Sequence, residues 1–317
     1  MNFLKITIVT PVFNEELVIG SFYSRLNQVL NTLINVDHSI LFVVDRCSDK
    51  SLSILRDIVE KDSSVKVLSM SSRFGHQMSL IAGIEHSKES DVIVMMDSDL
   101  QHPPELIPEL IENFKKGYEV VYTIRNDTEG IGSVRKFAGN IFYYLLGYLS
   151  QVPISANASD FRLISRRVAS VLVSEFHERN MFLRGIFTWM GFKQVGVEYV
   201  AQKRYAGSSK YSVSKILQFA IDGILSFSTK PLHMAVALGA FFSFAAFILI
   251  AIATIRYFIV ESIPSGFTTL VVLLLLFNGT QLVVMGIMGA YIGGIYQEVK
   301  KRPRYIVDEV ISKNDHS

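Results

Sequence analysis

Over the first 125 residues the apolar positions come in short runs separated by amphipathic stretches, while beyond residue 232 they merge into two long blocks. The runs at 5–12, 39–44, 65–69, 92–96 and 120–124 are rich in β-branched residues. Such runs suit strands buried on both faces of a parallel sheet. Between them, 15–33, 49–61, 77–86 and 106–114 read as helices, the last entered through a bend at Pro103 and Pro104 that its first turn tolerates. Strand and helix alternate, so the pattern predicts an α/β fold with a doubly wound, mostly parallel sheet.

The two late blocks change the picture. Residues 234–255 and 267–296 carry no charge, and each is long enough to cross a hydrocarbon core of about 30 Å as a helix. They are too long and too uniform for core helices, and predict transmembrane helices over 233–257 and 267–296. Lys300, Lys301, Arg302 and Arg304 follow the second block, which puts the basic tail, 297–317, in the cytoplasm by the positive-inside rule. Two crossings return the N-terminal domain, 1–211, to that side of a multi-pass inner-membrane protein. Apolar stripes at Val134, Phe137, Ile141, Leu145 and Tyr148, and at Ile216, Leu217, Ala220, Ile224 and Phe227, predict interfacial helices, the second within 212–232. Gly289 and Gly293 form a small-residue motif, with Gly286 nearby, that permits close helix approach between copies or within one chain.

Net charge is +2 and no basic tract interleaves with aromatic residues, which argues against nucleic acid as a partner. Cys47 is the single cysteine, consistent with a reducing compartment. The opening MNFLKITIVTPVFNEE has too short an apolar run for a secretory signal and reads as the first strand. Neither a GxGxxG nor a GxxxxGK[ST] motif occurs, so a bound nucleotide would depend on strand-end polar groups and a metal.

The strand ends carry the candidate chemistry. The stretch DSDLQHPPE begins where the fourth strand should stop, at the carboxyl edge where open α/β sheets bind ligands. Asp97, Asp99 and Gln101 lie two residues apart, and oxygen donors at that spacing suit Mg²⁺ or Mn²⁺ completed by water and substrate phosphate. Pro11, Phe13 and Glu15 close the first strand; Asp45, Ser48 and Asp49 follow the second, where the last two could instead cap a helix.

These turns resemble those of the nucleotide-sugar glycosyltransferases of family two, whose first strand ends in a P-x-Y-N-E-like turn and whose second ends in V-D-D-G-S. Here Phe13 replaces the tyrosine, and Arg46-Cys47 stands in place of Asp-Gly. The sequences SRFGHQ (72–77), DSDLQHPPE, DFRL (160–163), GIFTW (185–189) and AGSSKY (206–211), in that order, resemble the polyprenyl-phosphate glycosyltransferases, which include dolichyl-phosphate mannose synthase and bactoprenol glucosyltransferases. The resemblance implies a glycosyltransferase A-type sheet. It also implies metal ligation by Asp99 and Gln101, with Asp97 on metal or nucleotide, and Asp160 at the reaction centre beside Asp99. Pro11, Phe13, Glu15 and Asp45 would bind the nucleotide sugar, and Arg125, Arg135 and Arg204 the acceptor phosphate. Lys210 is a further candidate cation, and Arg162 is placed to pair with Asp160. A tetramer is implied by the resemblance, whereas the residues alone point only to self-association.

A phosphate monoester is already anionic near neutral pH, so the acceptor needs positioning more than a general base. Arginine's planar fork suits that task and lysine acts as a point charge. The expected reaction is inverting transfer of a monosaccharide to a polyprenyl phosphate such as undecaprenyl phosphate. Glucose from UDP-glucose is the first expectation, serving cell-surface glycans such as O-antigen on lipopolysaccharide. Mannose, N-acetylglucosamine, galactose and an aminoarabinose derivative are the alternatives. A processive synthase would bring more spans and a Q-x-x-R-W-like motif, and an inactive membrane scaffold is prompted only by Arg46-Cys47.

Overall fold

The computed structural model describes residues 3–126, 158–179, 181–200, 229–259 and 266–313. Strands β1 (Leu4–Val12), β2 (Val36–Val44), β3 (Val65–Met70) and β4 (Val92–Met95) alternate with helices α1 (Ile19–Leu30), α2 (Ser51–Lys61) and α3 (His76–Glu85). A single 3₁₀ turn at Pro104–Leu106 leads into α4 (Ile107–Lys115) and β5 (Val120–Asn126). Next come β6 (Ala158–Ser165), α5 (Arg166–Glu175), α6 (Leu183–Trp189) and β7 (Gln194–Val200). The eight strands among the described residues, including β8 (Val307–Ile311), form one sheet in the order β7-β5-β6-β4-β1-β2-β3-β8.

The long buried runs of β1, β2 and β4 are explained by helices on both faces of the sheet. Ile6, Ile8, Phe42, Val67 and Val94 pack with Phe22 and Leu26 of α1, Leu55 and Val59 of α2, and Ile107 and Leu110 of α4. Against the other face α3 comes so close that a Cβ on Gly83 would lie 2.2 Å from Val9 Cγ1 and 3.1 Å from Val43 Cγ2.

β1, β2, β3 and β4 are mutually parallel, as expected, whereas β6 is antiparallel to both β4 and β5, and β8 is antiparallel to β3. The helix expected over 15–33 starts at Ile19. The cause is local: Ser51 Oγ accepts the Glu15 N–H at 2.9 Å and Asp49 Oδ2 accepts the Glu16 N–H at 3.0 Å, so these amides serve a turn instead of a helix. Part of the expected basic tail also belongs to the sheet. Ile311 of β8 is buried in the core, Glu309 pairs with Arg56, and the Tyr305 hydroxyl donates to Glu85 at 2.7 Å.

The chain divides into two compact units, one of Met1–Tyr143, Val152–Val213 and Arg302–Ser317, the other of Tyr144–Gln151 and Ser214–Lys301. In the second unit, α7 (Lys230–Ile259) and α8 (Phe267–Val299) meet through Phe242 and Phe277, whose ring centroids lie 5.9 Å apart. Both helices are long and apolar enough to cross a membrane. The apolar window is 6% buried in the first and 0% buried in the second, unlike core helices. The stripes expected over 134–148 and 216–227 lie outside the described residues.

Candidate active site

From β1 the chain moves outward through β2 to β3, then returns to lay β4 on the other side of β1. The reversal sets the carboxyl ends of β1 and β4 side by side at the topological switch point, where such sheets bind ligands. Pro11 near the end of β1 and Phe13 just past it lie at this edge, and the DSDLQ turn follows β4 there. The Ser98 hydroxyl ties the two by donating to Pro11 O at 3.3 Å. Leu100, buried in the core, holds that turn in a left-handed conformation with φ 62°, local strain at the point where Asp99 and Gln101 are presented.

A second loop is fastened beside it. Asp45, 3% exposed, accepts the N–H groups of Phe74 and Gly75 at 2.8 and 2.9 Å, one on each carboxylate oxygen. Gly75 has φ 92° and ψ 165°, a conformation open only to glycine, and there the chain turns into α3. The Arg46 guanidinium donates to Ser71 O at 3.0 Å, and Cys47 Sγ receives the Asn14 N–H at 3.2 Å. Arg46-Cys47 thus has its own local partners. Arg73 stacks over Phe13 with its guanidinium carbon 4.1 Å from the ring centre.

This loop delivers His76, whose Nε2 lies 2.7 Å from Asp97 Oδ1. Burial pulls the imidazole toward its neutral form, but the Asp97 charge and hydrogen bond outweigh that and push its pKa up to about 9. On Asp97, burial favours the neutral acid, but the His76 charge and hydrogen bond hold the carboxyl below its ordinary range.

The β4–β6 ladder runs from Val92 opposite Ser165 to Met95 opposite Arg162. Continued by two residues, that register sets Asp97 opposite Asp160, an unfavourable meeting of like charges. Each carboxylate has its own cation: His76 for Asp97, and Arg184 for Asp160 through a bidentate pair at 2.8 Å on both oxygens. Burial would raise the Asp160 pKa, but the Arg184 charge and hydrogen bonds, with His76 and Arg162 behind them, hold it far below the usual carboxylate range.

The pairing differs from the expected one. Arg162 lies two residues from Asp160 on the same strand, yet its guanidinium donates to Ser159 O at 2.8 Å and stands 4.9 Å over the Phe187 ring, while Arg184 reaches Asp160 from α6. Burial lowers the Arg162 pKa to about 10. Arg125 lies half-buried on β5, in register with Tyr199 of β7. Arg135, Arg204 and Lys210 lie outside the described residues. His76, His102, Arg184 and Tyr199 were not singled out from sequence; the continued β4–β6 register is the signal that would have called for cations near Asp97 and Asp160.

Among the described residues, no three of His, Cys, Asp and Glu gather as a ready-made metal cage. The donors present are the Asp99 carboxylate, the Gln101 amide oxygen and the remaining Asp97 oxygen, all hard. As hard oxygen donors they are of the kind that would suit Mg²⁺ or Mn²⁺.

The sequence profile described as Glycosyl transferase family 2 matches residues 7–172. An uncharacterised glycosyltransferase of Bacillus subtilis is 41% identical, with 96% of this chain and 94% of that protein covered. A prophage bactoprenol glucosyl transferase homolog of Escherichia coli is 37% identical over 97% of this chain and 99% of its own length. The bactoprenol glucosyl transferase of Shigella phage SfII is also 37% identical, over 96% and 97%. Among solved structures, glucosyl-3-phosphoglycerate synthase of Mycobacterium tuberculosis, in complex with Mn²⁺, UDP-glucose and phosphoglyceric acid, aligns at 17% identity with a TM-score of 0.47, covering 70% of this chain and 78% of that one.

Proposed function

This chain belongs to glycosyl transferase family 2, and from that premise we propose that it transfers a monosaccharide, glucose from UDP-glucose first among the candidates, to the phosphate of undecaprenyl phosphate or a similar polyprenyl phosphate. The observation that carries the reading is the meeting of the β4 acidic turn with Asp160 at the switch-point edge of the sheet, in a chain similar over nearly its whole length to proteins named bactoprenol glucosyl transferases.

Pro11, Phe13, Glu15 and Asp45 would border the nucleotide, with Asp45 acting through the 72–76 loop that it holds. Asp99 and Gln101, with Asp97 beside them, would hold Mg²⁺ or Mn²⁺. When bound, that ion stabilises the negative charge building on the departing diphosphate. Arg125, joined by Arg135, Arg204 and Lys210, would place the acceptor phosphate. A phosphate oxygen attacks the anomeric carbon from the face opposite the diphosphate, the glycosidic bond to the diphosphate breaks, and the configuration inverts.

Asp160 is a poor general base, because its pKa is depressed and both of its oxygens accept from Arg184. Its role in this reading is to orient the acceptor or the metal shell. α7 and α8 would span the inner membrane, with the sheet domain and the C-terminal residues in the cytoplasm, and copies of the chain would associate. At Gly286, Gly289 and Gly293 an added Cβ would meet nothing within 4 Å among the described residues, which leaves this helix face open to another copy.

The test is a transfer assay with purified protein, undecaprenyl phosphate, Mg²⁺ or Mn²⁺ and a panel of labelled UDP- and GDP-sugars covering glucose, mannose, N-acetylglucosamine, galactose and an aminoarabinose derivative. Label entering the lipid phase from one donor supports the reading. Folded protein that labels the lipid from none of them overturns it.

A further inference from the structure

The β4–β6 ladder ends at Met95 and Arg162, and beyond it the two segments are bridged by a side chain. The Asp97 main-chain N–H donates to His102 Nδ1 at 3.0 Å. His102 Nε2 lies 2.9 Å from the Oγ of Ser159, the residue before Asp160, and that oxygen also accepts the Phe161 N–H at 3.1 Å. The ring is 7% exposed, stacked on Phe161 with centroids 5.3 Å apart, and meets Tyr199 edge-on at 6.2 Å. Its position and orientation are therefore set by packing as well as by polar contacts.

The polar contacts also fix which ring nitrogen accepts. An amide N–H only donates, so Nδ1 must present a lone pair and the ring proton sits on Nε2, where it is given to Ser159. The 3.7 Å approach of Nδ1 to Asp97 Oδ2 is then no ion pair.

We propose that His102 is a positioning residue: its ring, accepting the Asp97 N–H at Nδ1 and meeting Ser159 Oγ at Nε2, substitutes for the missing rungs between β4 and β6 and fixes the spacing of the Asp97–Gln101 turn relative to Asp160. The inference rests on the proposed function for its kinetic consequence, since that spacing sets donor against acceptor. It does not rest on it for the ring's chemical state. A misplacement of about 1 Å in such a site costs on the order of 100-fold in rate.

Two readouts test it on the full chain in detergent. In the first, protein labelled with ¹⁵N-histidine is examined at neutral pH, and the His102 signals are identified by their loss in His102→Phe. The proposal expects one pyridine-like and one pyrrole-like ring nitrogen, with the proton correlating to Nε2. An imidazolium pattern or the Nδ1–H tautomer overturns it.

The second readout is kinetic, with the donor that the panel identifies. His102→Phe keeps the aromatic stack but loses both hydrogen bonds, and should lower kcat by roughly 100-fold while donor KM stays within about threefold. His102→Asn keeps an acceptor for the Asp97 N–H and should recover about tenfold of that loss. Ser159→Ala should lower kcat in the same direction, and with His102→Asn it carries the test if His102→Phe fails to give a cooperative melt. Wild-type kcat in His102→Phe and Ser159→Ala, a change confined to KM, or no recovery in His102→Asn overturns the proposal. If the wild-type protein turns over no donor, the proposed function fails separately and the nitrogen shifts alone decide the positioning claim.

Discussion

At Asp160 the local chemistry makes opposing demands: the carboxylate is 12% exposed, faces a second acidic position across the β4–β6 register, and is stabilised by a two-pronged contact from Arg184. Arg184→Ala would strand that charge. We expect a loss of about 2–3 kcal/mol, less than for a fully buried pair because Arg184 is one-third exposed, measured by chemical denaturation against wild type. Arg184→Lys, which keeps the charge but not the fork, should lose less. Because the folded pKa is depressed, the pair's contribution is present above the unfolded value of about 3.9 and disappears only as pH falls through the folded value far below it. The acid-unfolding midpoint should therefore move to higher pH in Arg184→Ala, and an unchanged midpoint would contradict the assignment.

His76 has the opposite sign. Its folded pKa of about 9 lies above the unfolded value of 6.5, so its contribution is complete below about 6.5 and is lost as pH rises through about 9. In chelator-treated protein the Tm gap between wild type and His76→Asn should shrink between pH 6.5 and 9.5. The change should be modest, since the ring is 38% exposed and solvent screens the pair; a gap independent of pH would argue against the ion pair. At this scale the sequence displayed the acids: Asp97 and Asp99 stand just past a predicted strand end, and Asp160 opens the DFRL motif of the family resemblance. It hid their partners: His76 and Arg184 lie 21 and 24 residues from the carboxylates they meet, and only the folded register brings them there.

Helix α3 must lie close to the sheet for its first residue, His76, to reach Asp97. Gly83 allows that approach. Gly83→Ala would gain helix propensity but push a methyl group into Val9, a stiff β-branched neighbour 2.2 Å away, so we expect a net loss of about 1–2 kcal/mol, with weakened donor binding as the loop shifts. Stability equal to or above wild type would show that the helix does not need this closeness. The parallel core β1–β4 was legible because each strand carries a short, mostly apolar run, and in β1, β2 and β4 that run is buried through to the strand's carboxyl end. β8 was not, because five residues containing Asp308 and Glu309 have neither that pattern nor a hairpin partner next to them in sequence. Its value to the sheet lies mainly in Ile311, for which substitution by Ala should cost about 2–3 kcal/mol by the same denaturation measurement.

For the whole molecule, the two apolar helices were readable from charge-free length alone, and their exposed apolar surfaces call for a solvent other than water. The protein should stay with the membrane fraction after washes in high salt and alkaline carbonate, which strip peripheral proteins; release by either wash would contradict spanning helices. In the proposed reaction the acidic turn after β4 and Asp160 form a metal-assisted centre for sugar transfer to a polyprenyl phosphate. The most direct measurement compares transfer of labelled sugar to undecaprenyl phosphate by wild type, Asp99→Ala and Asp160→Asn, with Mg²⁺ or Mn²⁺ and after chelation. Wild type should label the lipid and chelation should abolish that labelling, with a loss of about 10³-fold in Asp99→Ala from removal of charge stabilisation at the diphosphate and a substantial loss in Asp160→Asn. Full activity in Asp99→Ala, or transfer indifferent to chelation, would contradict this reading.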